Sequence, residues 1–151
     1  MGDQIWFYYQ GLKGRHWFKQ HKDPLESGFG LATLRLDGFV SVDAPQAGTL
    51  QTRRFIAIGD TLVINAKADG GEIRVEAIDA LGRVISGFSK EDCTPIRGDS
   101  VRHVVSWKGG PNCHQLQARP IKLRFHLKTA SLFSFEFQIR RNHFVPLSFR
   151  Q

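Results

Sequence analysis

Apolar and polar residues alternate with a period of two along several stretches of this chain, which is the pattern of a β-strand with one buried face. The stretch 121–128 shows it most clearly, with Ile, Leu, Phe and Leu at odd positions and Lys, Arg, His and Lys at even positions. The same alternation predicts strands over 60–67, 72–79 and 131–139. Hardly any stretch has helical spacing, so the pattern favours an all-β fold.

Turn-forming residues separate these runs at intervals of about eight to twelve residues. Asp69-Gly70-Gly71 predicts a hairpin turn, Thr129-Ala130 a reversal, and Asp37-Gly38 a tight turn between two strand-like runs. We therefore expect an antiparallel two-sheet β-sandwich, and about eight strands favour a jelly-roll-like subtype. The predicted segments are an aromatic N-terminal strand and loop over 1–28, the β-sandwich domain over 29–139, and a C-terminal tail or edge strand over 140–151.

The overall composition indicates an ordered globular chain. It has 151 residues, of which 41% are hydrophobic, and this is enough for a sizeable core. No apolar run approaches the roughly 18 residues that a membrane helix requires, so we expect no membrane partner. The N-terminus lacks the layout of a signal peptide, which leaves the location of the protein open.

Basic residues are concentrated near the C-terminus. The net charge is +7, and residues 101–151 contain nine Lys or Arg against the single acid Glu136. Such a distribution fits a surface for acidic polysaccharide, anionic lipid or nucleic acid, and it also fits a solvated surface with few acids. No nucleic-acid motif accompanies the charge, so we do not expect nucleic acid as a partner. A polyanion binder that uses 122–128 with Arg140 and Arg141 remains an alternative.

No set of residues in the sequence has the spacing of a known catalytic or metal-binding motif. There is no Gly-x-Ser-x-Gly elbow, phosphate-binding Gly loop or His-Glu-x-x-His. Cys93 and Cys113 have no further ligands at zinc spacing, and either a disulfide or two free thiols is compatible with them. The acids in 87–100 lack EF-hand spacing. We expect a noncatalytic protein without metal or cofactor.

The N-terminal region is rich in aromatic residues. Residues 4–10 predict a strand with Ile5, Phe7 and Tyr9 on one face and Trp6 and Tyr8 on the other. A strand that is apolar on both faces needs cover on both, so pairing with a partner or a second copy is one hypothesis. The cluster over 15–19 combines stacking and charged groups, which suits a sugar or nucleotide platform, or packing of its loop onto the domain.

A series of collinear segments resembles a known bacterial module. The segments are 30–44 (GLATLRLDGFVSVDA), 71–76 (GEIRVE), 87–89 (GFS) with Asp92-Cys93 and Pro95-Ile96, 104–109 (VVSWKG), 120–125 (PIKLRF) and 132–135 (LFSF). Together they resemble the C-terminal β-sandwich of bacterial glycoside-hydrolase-like proteins with a five-bladed propeller, of the fructosidase and arabinanase kind. Residues 2–11 are similar to the closing strand of such a propeller.

The resemblance implies an accessory module that supports the propeller and contacts glycans. The catalytic carboxylates of that family lie in the propeller, so the resemblance implies no catalytic residue in this chain. It implies an oligosaccharide or polysaccharide as partner, bound by exposed aromatic rings and polar side chains. The candidate carbohydrate-binding residues are Trp6, Tyr8, His16, Trp17, Trp107, Arg35, Arg124 and His126. A structural domain that dimerises through its aromatic N-terminal strand is the alternative.

Overall fold

The computed structural model describes residues 2–13 and 26–139, and its regular elements are β-strands apart from one turn of 3-10 helix, His114–Leu116. The strands are β1 Gln4–Lys13, β2 Glu26–Arg35, β3 Val42–Gln51, β4 Phe55–Ile56, β5 Thr61–Ile78, β6 Ile96–Val104 and β7 Pro120–Gln138. All strand pairs are antiparallel, which confirms the predicted all-β antiparallel fold. This part of the chain contains no helix with the length and hydropathy needed to cross a membrane. The predicted tail over 140–151 lies outside the described residues.

The chain packs as two compact units, Met1–Phe39 and Val40–Gln151. The first contains a two-stranded sheet, in which β1 and β2 pair from Gln4 opposite Arg35 to the other end of both strands. The second contains a curled five-stranded sheet with the order β3-β7-β5-β6, in which β4 also pairs with β7. The long strands β5 and β7 form the centre of this sheet.

The turn at Asp37-Gly38 exists, but it does not join two paired strands as predicted. Asp37 has a positive φ of 51°, and the Gly38 amide donates to the Arg35 carbonyl at 3.0 Å. The strand before this turn pairs with β1, whereas the strand after it pairs with β7. The prediction failed because a turn dipeptide specifies a reversal of the chain and not the partner of each strand.

The predicted reversals at Asp69-Gly70-Gly71 and Thr129-Ala130 are corrected, because both lie inside continuous strands. The β5–β7 register shifts between Lys67 and Glu72, and Thr129 has a positive φ of 44°. β3 has a shift at the same level, between Ala44 and Ala47, and β6 has Gly98 with a φ of 83°. These irregularities form a line across the four main strands, which we call the crease. Bulges bend and twist strands, which accounts for the curl of the sheet.

One hydrophobic core lies on the inner face of the curled sheet. The inward residues of β5 are fully buried on both sides of the crease, as the alternation predicts: Leu62, Ile64, Ala66, Ile73, Val75 and Ala77. The connections before and after β6 complete the core with Phe88, Cys93, Trp107 and Leu116. Both halves of the bent strands therefore contribute to a single cluster.

The alternation predicted for 131–139 holds only in part. Phe135 and Phe137 pack against the core as expected, but Ile139 is 67% exposed. The β5–β7 register shifts again between Asn65 and Ala66, and this changes which residues of β7 face inward. Leu132 occupies a core position for that reason.

Candidate functional site

The outer face of β5 and β7, opposite the core, carries charged side chains on the side of the crease that includes 72–78. Cross-strand pairing places Glu76 opposite Arg124 and Arg74 opposite His126. We call the following residues the polar face: Gln51, Glu72, Arg74, Glu76, Arg124 and His126. The inward neighbours of these residues on β5 and β7 are fully or almost fully buried. Close packing of the core therefore holds the backbone of the polar face in place.

Arg124 is held from two sides by hydrogen bonds. Its Nη1 donates to Glu76 Oε1 at 2.6 Å, and its Nε and Nη2 donate to Gln51 Oε1 at 3.1 and 2.8 Å. His126 Nε2 lies 3.2 Å from the same Glu76 oxygen, although the angle does not meet hydrogen-bond geometry. Glu76 is 6% exposed, so its carboxylate has little access to water, and the guanidinium of Arg124 compensates its charge. The orientation of Arg124 is therefore set before any ligand arrives.

Glu72 and Arg74 connect the polar face to the loop that precedes β6. Arg74 Nε donates to Glu72 Oε1 at 3.0 Å, and Arg97 Nη2 donates to Glu72 Oε2 at 2.6 Å. These two hydrogen bonds lower the pKa of Glu72. Arg74 Nη1 also donates to the carbonyls of Lys90 and Cys93, at 3.4 and 3.1 Å. Arg74 thus holds in place the loop that carries Lys90.

A groove of about 420 Å³ opens beside the polar face. Its volume lies within the roughly 300–1,000 Å³ of small-ligand sites. The edge strand β3 contributes only small side chains, which keep the groove open. The lining residues are Ala47, Gly48, Thr49, Glu72, Arg74, Lys90, His126, Leu127 and Lys128. The groove therefore offers hydrogen-bond donors and positive charge on a largely preformed surface.

Both carboxylates of the polar face are engaged by arginine. Glu72 and Glu76 lie four residues apart on β5, and each forms an ion pair with an arginine side chain. The arrangement is suited to holding a ligand. The described residues contain no group of three or more His, Cys, Asp or Glu side chains that could hold a metal.

The structure brings together two of the predicted binding residues, Arg124 and His126, on the outer face of β7, and it places Trp107 in the core. Trp107 is 3% exposed, and its Nε1 donates to the Val75 carbonyl at 2.9 Å. Its ring packs edge-on against Phe88 at 5.1 Å between centroids. Trp107 is therefore a core residue, and we do not keep it as a sugar platform.

Three further candidates lie in the first unit. Trp6 and Tyr8 project from the same face of β1, 45% and 75% exposed, with ring centroids 6.5 Å apart. Arg35 is half-buried at the end of β2, opposite Gln4. The remaining two candidates, His16 and Trp17, lie outside the described residues.

Sequence reasoning missed Glu76, Gln51 and Lys90 as members of the site. Glu76 is recognisable as an outward residue. Its contact with Arg124, which lies 48 residues later in the sequence, depends on the register between β5 and β7. Lys90 lies in a loop, and no local sequence pattern indicates that it lines the groove. The cysteines are both free and buried in the structure, so of the two alternatives it shows the free thiols.

The chain was also compared with known proteins. It matches no family model, no curated protein and no solved structure. The assignment of a function therefore depends on the residues and geometry described above.

Proposed function

We propose that this chain is a noncatalytic carbohydrate-binding module, an accessory domain of a glycosidase-like protein. The observation that carries the proposal is the preorganised polar face beside an open groove. Hydrogen-bonded Arg, Gln and Glu side chains, with His126 beside them, match the closely spaced hydroxyl groups of a sugar, which both donate and accept hydrogen bonds. The resemblance of segments within 30–135 to the accessory domain of propeller glycosidases supports the same function.

The rigidity of the polar face favours binding over a purely structural role. A ligand that meets Arg124 already oriented by Glu76 and Gln51 does not have to immobilise that side chain. A surface that served only for solubility would not need a nearly buried carboxylate shared by Arg124 and His126. Both carboxylates of this face are engaged by arginine, which supports a role in holding a ligand.

We further propose that the curled sheet is the two-sheet, jelly-roll-like sandwich expected from the sequence. The support is the crease, which divides the long strands into two halves that face one core. In this interpretation each half belongs to a different sheet of the sandwich. An experimental structure tests it through the angle between the two halves of β5. A smoothly curved strand with no break at the crease would contradict it.

The proposed function is tested by calorimetric titration with neutral and acidic oligosaccharides. We expect at least one sugar to bind, and His126→Ala to weaken its binding because His126 lines the groove. The matched control is Arg119→Ala, an exposed residue that does not line the groove and lies roughly 20 Å along the chain from His126. No response at millimolar sugar, or equal effects of both variants, would overturn the proposal.

The exposed apolar residues of the two-stranded sheet favour a second candidate function, self-association through β1 and β2. Phe29 is 89% exposed, Tyr8 75% and Tyr9 56%, and these residues occupy both faces of the sheet. Two-stranded sheets are marginally stable alone, and both strands have an unpaired edge within the described part of the chain. A second copy of the sheet could cover these surfaces.

Light scattering on the full chain tests this second candidate. We expect Tyr8→Ser with Phe29→Ser to convert a dimer into a monomer, because the substitutions remove the apolar area and leave the backbone unchanged. The control is Val104→Ser, which changes an exposed apolar residue of the other unit. A wild-type chain that is monomeric at high concentration would rule out self-association.

A further inference from the structure

We infer that the groove beside the polar face binds an acidic sugar unit, whose carboxylate or sulfate lies between Lys90 and Lys128. The inference rests on the proposed function and specifies its ligand. It starts from the residues that line the groove, none of which is Phe, Tyr or Trp. Neutral sugars usually depend on stacking against flat apolar rings, and the one ring in this groove is the polar imidazole of His126. Charge and hydrogen bonds are the means of recognition that it does offer.

The groove carries an excess of positive charge. Arg74, Lys90 and Lys128 line it together with one carboxylate, Glu72. Both oxygens of Glu72 are already occupied by Arg74 and Arg97, so this carboxylate does not neutralise the two lysines. An anion in the groove would therefore meet cationic groups that Glu72 does not compensate.

The two lysines differ in how they are positioned, and both remain available. Lys90 Nζ lies 3.9 Å from the Glu91 carboxylate, an exposed contact of little strength. Among the described residues Lys128 forms no ion pair. It lies on β7 directly before the crease. The loop of Lys90 is held by Arg74 and by the Asp92–Lys108 ion pair of 2.8 Å. The ammonium groups thus approach one groove from two separate elements.

The position of these lysines distinguishes a local site from a general polyanion surface. Lys122 shares the outer face of β7 with Lys128 but lies six residues away, roughly 20 Å along the strand, and does not line the groove. A local acidic-sugar site needs Lys128 and not Lys122. A diffuse polyanion surface needs both about equally.

Calorimetric titration of the full chain tests the inference with four ligands. These are an oligogalacturonate, its carboxyl-reduced neutral counterpart, a sulfated oligosaccharide, and its desulfated counterpart. We expect the carboxylate-bearing or the sulfated ligand to bind about tenfold more tightly than its neutral counterpart. Comparison of the two acidic ligands identifies which acidic group the site takes.

Variants locate the binding. Lys90→Ala and Lys128→Ala should each weaken acidic-sugar binding about tenfold, whereas the matched control Lys122→Ala should change it by less than about twofold. Ala47→Trp should block the groove while leaving every charge in place, because Ala47 is exposed on the edge strand β3. Thermal unfolding of each variant confirms that the fold is intact.

The outcomes separate the inference from the proposed function. Neutral counterparts that bind as tightly as the acidic sugars, with His126→Ala still weakening them, would overturn the inference and leave carbohydrate binding standing. Equal losses in Lys122→Ala and Lys128→Ala would overturn the inference in favour of a polyanion surface. Failure of all four ligands and of the wider sugar panel would overturn both.

Discussion

Glu76 shows how a single residue can organise a surface. Its carboxylate is nearly buried and accepts a hydrogen bond from Arg124, while His126 lies beside the same oxygen. A buried carboxylate without such neighbours would be strongly unfavourable, so the three side chains depend on each other. At this scale, the polar face is one interacting group and not a set of independent charges.

We predict that Glu76→Gln lowers the free energy of unfolding by about 1–2 kcal/mol. The substitution keeps the shape of the side chain and removes the charge that compensates Arg124. The value is taken from the lower part of the range for charged hydrogen bonds because the Arg124 side chain is 34% exposed. Urea unfolding measures the change.

The control for this prediction is Glu91→Gln. Glu91 is a well-exposed acid, with 72% of its side chain accessible and only a 3.9 Å contact to Lys90. We expect it to change the unfolding free energy by less than about 0.5 kcal/mol. If both variants behave alike, the Glu76–Arg124 contact does not stabilise the fold.

Cys93 leads to a prediction about the dependence of stability on pH. Burial raises the pKa of its thiol. In the unfolded chain the thiol therefore loses its proton at lower pH than in the folded chain, and its contribution is fully present below about pH 8.5. Above that value the free energy of unfolding should fall with rising pH, with a slope of at most about 1.4 kcal/mol per pH unit from this group.

Urea unfolding at several pH values, with Cys93→Ala for comparison, measures this contribution. Other groups also titrate in this range, so the decisive quantity is the difference between the two slopes. We expect the variant to lose stability less steeply above pH 8.5, although it is less stable at neutral pH because Cys93 Sγ accepts a hydrogen bond from the Val75 amide at 3.2 Å. Identical slopes would show that the thiol has the same pKa in both states.

At the scale of elements, the crease determines how β5 and β7 pair, because their register shifts there. Gly71 is essential to it, because a Cβ atom at this position would lie 1.8 Å from the Lys128 carbonyl oxygen. This oxygen belongs to the backbone of β7, so it cannot rotate out of the way as a side-chain atom would. Close approach of two backbones is one of the situations that require glycine in a strand.

We therefore predict that Gly71→Ala lowers the free energy of unfolding by about 2–3 kcal/mol. The matched control is Gly109→Ala, because a Cβ atom there would meet nothing within 4 Å. This control should change stability by less than about 0.5 kcal/mol. Chemical denaturation measures both, and a mild effect of Gly71→Ala would show that the strands can separate at the crease without loss.

Sequence patterns predicted the faces of these elements better than their connections. The alternation in 121–128 correctly assigned Leu123 and Phe125 to the core and Arg124 to the outside, because burial of one face imposes a period of two. Asp69-Gly70-Gly71 was misread as a hairpin turn because the same residues suit a bulge, which also needs tight backbone approach. The reversal predicted at Thr129-Ala130 was wrong, and the positive φ of Thr129 had no sequence signal, since β-branched residues rarely adopt it.

The candidate site was only half predictable for a related reason. His126 and Arg124 could be assigned to an outer face from local alternation. Their contact with Glu76 depends on strand order and register, which follow from packing of the whole sheet and not from any local signal. Placement of the aromatic candidates also required the tertiary structure, as the burial of Trp107 shows.

At the scale of the whole molecule, the two units differ in how they are stabilised. The sheet of β3–β7 encloses one large hydrophobic core, whereas the sheet of β1 and β2 exposes apolar residues on both faces. We predict that backbone amides of β1 exchange with solvent much faster than those of the central strand β5, because two-stranded sheets open readily. Hydrogen exchange measured by mass spectrometry tests this directly.

Protein concentration is the control variable in that experiment. Protection of β1 that rises with concentration would indicate that a second copy covers the two-stranded sheet. Protection of β1 equal to that of β5 at every concentration would contradict the prediction, since it would require a stable sheet without self-association.

The crease also determines which changes in chain length the sheet can tolerate. In β5 the core positions are even-numbered before it and odd-numbered after it, as Ala68 and Ile73 illustrate. In β7 they change from odd-numbered to even-numbered between Leu127 and Ala130. Removing one residue at Gly70 would therefore reverse inside and outside for half of the strand, exposing the core and burying Glu72, Arg74 and Glu76. The number of residues in this short segment therefore keeps the polar face on the outside of the sheet and the core on the inside.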